Sequence, residues 1–80
     1  MSTIVYKIDA FWDREAQVWV AESEDVPGLV TEASTIELLT DKLKQMIPEL
    51  LFVNHLVSAD YTGSISFELT SHRQELIQVA

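Results

Sequence analysis

The sequence predicts a two-layer α+β domain, ordered β-β-β-α-β, with one amphipathic helix packed on a mostly antiparallel sheet. Three observations lead there. Residues 34–54 carry a sustained helical period, three short runs rich in β-branched and aromatic residues precede them, and a cleanly alternating run follows. Eighty residues make one domain, 1–80. A chain of this size buries about 60–65% of its unfolded surface, so its core is modest.

The first run, Thr3 to Trp12, alternates. Ile4, Tyr6, Ile8, Ala10 and Trp12 share one face, and Lys7 and Asp9 lie on the other. Val5 and Phe11 interrupt that second face with apolar area. Asp13 to Ala16 is short and polar and reads as a hairpin turn, with Gln17 to Glu22 as the returning strand. Ser23 to Gly28 is a loop. Val26 precedes Pro27 and is pushed toward extended geometry. Pro27-Gly28 suits the centre of a type II turn, because glycine accepts the positive φ required there. Leu29 to Ala33 is a short third strand leading directly into the helix.

Ser34 and Glu37 fit a capping box, with Ala33 and Leu38 as its hydrophobic staple. Ile36, Leu39, Leu43, Met46, Ile47, Leu50 and Leu51 recur at three- and four-residue steps and form one buried stripe. Pro48 lies off that stripe, so water can reach the Lys44 carbonyl it leaves unpaired, and the expectation is one bent helix. Leu38 and Phe52 point away from the stripe. Beyond the helix, 55–62 is a loop with a turn near Asp60 to Gly63. Ser64 to Thr70 is the fourth strand, with Ile65, Phe67 and Leu69 facing inward. The tail from 72 to 80 is extended or frayed.

Thirteen acidic against five basic residues give a net charge of −8. From Glu15 to Asp41 there are seven acids (Glu15, Glu22, Glu24, Asp25, Glu32, Glu37, Asp41) and no Lys or Arg. Phosphate recognition needs clustered positive charge, so direct nucleic-acid binding is not expected and a basic protein partner is favoured. The sequence has no cysteine. That removes disulfide and thiolate chemistry and fits a reducing, cytoplasmic setting. No signal peptide or membrane-spanning run is visible, so no membrane role is expected.

A search for chemistry finds none. His55 and His72 lack metal-ligand spacing, and no metal or other cofactor is expected. Glu22, Glu24 and Asp25 lack the twelve-residue calcium-loop pattern and read as a solvated loop. There is no GxSxG, and two glycines cannot build a phosphate cradle. Trp12, Trp19, Tyr6 and Phe67 lack interleaved basic residues and read as core. The protein is expected not to be an enzyme.

The run Trp19 to Ala33, WVAESEDVPGLVTEA, followed by a capped helix with Leu43 and the Ile47-Pro48-Glu49-Leu50 step, resembles the HicB-like antitoxin family. It is most similar to the short, single-domain bacterial branch of unknown function. The resemblance covers most of residues 4–70, with Asp25-Val26-Pro27-Gly28 as its moderately specific motif. It implies a fold like a truncated ribonuclease-H core without the catalytic carboxylates. It also implies a non-catalytic module that masks a small basic, RNA-cleaving toxin of HicA type and commonly dimerises. Family members often carry a further DNA-binding domain, and residues 71–80 hold no counterpart of one.

Two functions are therefore weighed. One is the antitoxin-like interaction module; the other is an orphan small-ligand-binding or regulatory domain without a toxin. For the first, the expected partner surface is Trp19, Glu22, Glu24, Asp25, Pro27, Gly28, Leu29 and Glu32. Homo-oligomer contacts are expected at Val5, Phe11, Leu38 and Phe52.

Overall fold

A computed structural model describes residues 4–58 and 60–80. Its elements are β1 (Val5–Asp13), β2 (Val18–Glu22), β3 (Val30–Ala33), α1 (Ile36–Val53) and β4 (Ser66–His72), so the predicted order and the α+β class hold. The expected start of the first strand at Thr3 lies outside the described residues.

The sheet runs β3-β2-β1-β4. β1 pairs antiparallel with β2, and β2 antiparallel with β3, while β1 pairs in parallel with β4. The parallel pair follows from the chain path. β3 runs in the direction of β1, α1 carries the chain back, and β4 then enters the sheet from the end where β1 begins.

The register puts Tyr6, Ile8, Ala10 and Trp12 of β1 on one side with Trp19 and Ala21 of β2, Thr31 and Ala33 of β3, and Phe67 and Leu69 of β4. This is the side α1 covers. Ile8, Ala10, Ala21 and Ala33 join Leu39, Leu43, Ile47 and Leu51 of α1, with Val26 and Leu29 from the loop, in one buried cluster. Alanines at the centre of the sheet form a low floor that lets the helix approach, and the branched side chains of α1 fill the space above it.

The helix cap lies one residue later than the sequence suggested. Thr35, not Ser34, is the N-cap; its side chain accepts from the Leu38 N–H at 3.1 Å. Glu37 then falls in the first turn at a position that cannot close a capping box with Ser34. The Ala33–Leu38 staple is likewise displaced: Ala33 is core, and Leu38 is exposed. Both hydroxyls were eligible, and the extended backbone at Thr35 (φ −132°, ψ 160°) decides between them. Pro48 sits inside one continuous helix and is exposed.

The C-terminus closes as a Schellman motif. The Leu56 N–H donates to the Leu51 carbonyl, the His55 N–H donates to that of Phe52, and His55 takes φ 60°. Asn54 ties this end to the Pro27-Gly28 turn, its amide donating to the Leu50 and Pro27 carbonyls. Gly28 has φ +81°, and the Leu29 N–H donates to the Val26 carbonyl, the expected type II turn.

β4 starts at Ser66 rather than Ser64 and ends at His72, because its partner β1 starts at Val5, which pairs with Ser66. Beyond His72 the chain stays extended and exposed to Ala80. The radius of gyration is 15.0 Å, against about 12 Å for a compact chain of this length. Arg73 donates to Glu75 at 2.7 Å and lies 4.3 Å over the Trp12 ring. The Arg73 bond holds the Glu75 carboxyl below its ordinary range. Desolvation works against this, and the charges of Arg73 and Arg14 add to it.

Candidate protein-interaction face

The other side of the sheet has nothing packed on it among the described residues. Alternation puts Val5, Lys7, Asp9 and Phe11 of β1 there, and register adds Val18, Val20 and Glu22 of β2, Val30 and Glu32 of β3, and Ser66, Glu68, Thr70 and His72 of β4. An antiparallel sheet with one solvated face normally carries polar residues on it. This face does not follow that pattern. Phe11 is 42% exposed, Val5 43% and Val30 70%, while Val18 and Val20 are half-buried beside them. The Phe11 ring stacks on the His72 imidazole, centroids 4.8 Å apart and 16° from parallel.

Carboxylates lie beside Phe11, Val18 and Val20, and Val30 lies beyond Glu22 on the edge strand β3. Glu22 lies opposite Asp9 and next to Val30; Glu32 lies opposite Val20; Glu68 pairs in register with Lys7, the face's lone Lys or Arg among the described residues. Asp9 Oδ1 is 3.3 Å from His72 Nε2. At one end an open groove of about 560 Å³ runs between Lys7, Asp9, Glu22, Glu24, Asp25 and Val30. A protein surface of opposite charge would meet acids side by side with an aliphatic and aromatic patch, both elements of a docking site.

The residues expected from sequence to form one surface divide between several places. Glu22 and Glu32 are on the open face. Glu24 is exposed in the neighbouring loop. Asp25 is structural, because its Oδ2 accepts the Lys7 N–H at 2.8 Å. Ser23 completes that clip, donating to the Lys7 carbonyl and accepting from the Asp25 and Val26 N–H groups. Pro27 and Gly28 are exposed on their turn. Leu29 is 2% exposed and belongs to the core, so no partner reaches it. Trp19 is half-buried on the opposite side of the sheet, 5.3 Å from Trp12 and near Arg73.

The four positions expected to touch a second copy also separate. Val5 and Phe11 lie on the open face, whereas Leu38 and Phe52 are exposed on α1. Asp9 and Glu68, whose side of the sheet alternation gave correctly, and Val18, Val20, Val30 and His72 were not among the expected contact residues. The alternation of β1 hinted at them through Val5 and Phe11, but the assembled patch needed the strand register. No cluster of His, Cys, Asp or Glu suited to a metal exists among the described residues.

The sequence model of a family described as a domain of unknown function, DUF1902, matches residues 5–79. The chain belongs to the DUF1902 family. The match spans the face, the helix and the tail, and the family description assigns no activity. Among solved structures, a hypothetical protein, TTHA1013, from the extremely thermophilic bacterium Thermus thermophilus is similar. It is 43% identical, with 92% of this chain and 100% of that chain covered, at a TM-score of 0.71. A comparison with curated proteins finds no match. Within this DUF1902 domain no helix among the described residues is long and apolar enough to cross a membrane.

Proposed function

We infer that this domain is a non-catalytic interaction module of antitoxin type, and that its open sheet face docks a small basic protein that cleaves RNA. One observation carries the reading: among the described residues a whole sheet face is uncovered, and it sets an apolar patch of Phe11, Val18 and Val20 beside acids. Phe11, Val20 and Val30 supply the area that gives affinity on desolvation, and Asp9, Glu22, Glu32 and Glu68 steer a positive partner onto it. The acid-rich Glu15–Asp41 segment and the likeness to HicB-type antitoxins support the same partner class. Inhibition needs no chemistry from this chain. A body of negative charge seated on a phosphate-binding surface excludes the RNA by competition.

The test looks for a short Lys/Arg-rich protein encoded beside the gene and measures binding to it from ~50 to ~500 mM salt, with RNA cleavage as the functional readout. Association is expected to slow as screening tightens. Glu22→Lys with Glu32→Lys should slow it further at low salt, leave the fold intact and release cleavage. Asp25 is excluded from this reversal, because its carboxylate holds the loop. Salt-independent association, or inhibition that survives the double reversal, contradicts the electrostatic part of the reading.

A further inference from the structure

Residues 74–80 extend beyond the sheet. β4 is paired with β1 through His72↔Phe11, and beyond it Arg73 lies 4.3 Å over the Trp12 ring and Glu75 lies 3.8 Å from Arg14 in the β1–β2 turn. Leu76, Ile77 and Val79 are 70%, 83% and 89% exposed. The stretch Arg73 to Ala80 contains no Gly, Pro, Asn or Asp that would turn it back onto its own β4. The DUF1902 match runs through residue 79, so the tail is part of the family's domain. At the same time β4 is an edge strand, its outer row of N–H and C=O groups unpaired by any described strand.

We propose that the tail completes this edge in a second copy of the chain: two β4 strands join antiparallel about a two-fold axis at Gln74, each tail pairing along the other's β4. Three features support it. The first is length: with the axis at Gln74, residues 76–80 lie opposite residues 72–68 of the other copy and so cover most of its β4. The second is side. Alternation continued from Phe67 and Leu69 puts Ile77 and Val79 on the helix side, and a two-fold normal to the sheet keeps that side. Val79 then lies opposite Leu69 of the other copy, beside an apolar groove of about 400 Å³ walled by Ile47, Phe52 and Phe67. The third is charge. This register sets Arg73 of each copy opposite Glu75 of the other, whereas centring one residue earlier would oppose Arg73 to Arg73. The result is a continuous eight-stranded sheet that hides both exposed edges of β4 and leaves the open faces free.

Sedimentation equilibrium at ~10–100 µM tests the proposal on the full chain. The wild type is expected as a dimer. Ile77→Asp with Val79→Asp is expected as a monomer with an unchanged far-UV circular dichroism spectrum, because neither side chain contributes to the core. Gln74→Cys is expected to form a disulfide-linked dimer under mild oxidation, since directly opposed residues of an antiparallel pair have Cα atoms about 4.5–5.5 Å apart. Val30→Cys, on the sheet's other edge strand, is expected not to. A wild-type monomer at ~100 µM overturns the proposal. So does a dimer that survives the double substitution, or one in which Gln74→Cys fails to cross-link. If the double substitution were to unfold the chain, the cysteine variants would decide the matter.

Discussion

Asp25 shows how far residue type alone misleads. It reads as one more acid in an acidic loop, yet its carboxylate accepts the Lys7 N–H and pins the loop to β1. Asp25→Ala should lower stability by about 1–2 kcal/mol, whereas Glu24→Ala, with no such bond among the described residues, should stay within about 0.5 kcal/mol. Chemical denaturation of both variants measures the difference. His55 is a second case. It occupies the left-handed position of the helix cap at φ 60°, where a Cβ is strained. His55→Gly should therefore raise stability by up to about 1 kcal/mol, read as a higher denaturation midpoint at unchanged slope. Glu75 is linked to pH with the opposite sense to a histidine. Because its carboxyl is held low, the Arg73 contact is complete above the ordinary carboxylate range and is lost as pH falls through the lowered value. None of these three roles was legible in the sequence, because each depends on what the folded chain brings within reach.

At the scale of elements the sequence was more informative. The helical stripe was right in full: Leu39, Leu43, Ile47 and Leu51 are buried, and Ile36, Met46 and Leu50 pack partly against them. Leu43→Ala should cost about 2–5 kcal/mol, since the floor of alanines beneath it cannot collapse to fill the space. Pro48 is exposed within the same helix. Replacing it with alanine restores a backbone donor to the Lys44 carbonyl and should stabilise the domain, by at most about 3 kcal/mol. What the sequence missed was where elements stop. β4 begins where β1 offers a partner, not where alternation begins, and Ser34 and Thr35 are equally able caps until the backbone chooses. Pairing and capping are relations between segments, and a pattern within one segment does not contain them.

Across the whole molecule, the layers were legible but the surfaces were not. One amphipathic helix and four strands imply two layers, and Val5 and Phe11 already marked the second sheet face as unusual. Only the register shows that Phe11, Val18 and Val20 lie together beside Asp9, Glu22 and Glu32, or that Trp19 points to the other side. The central claim is that this uncovered face is the working surface of the domain. The most direct measurement compares wild type with Phe11→Glu, by affinity for a small basic RNA-cleaving protein of the proposed class and by stability. The account predicts stability within about 1 kcal/mol of wild type, because Phe11 is outside the core, and a dissociation constant raised at least ~30-fold, as for loss of a central contact worth about 2 kcal/mol. A variant that folds equally well and binds as tightly as the wild type would contradict it.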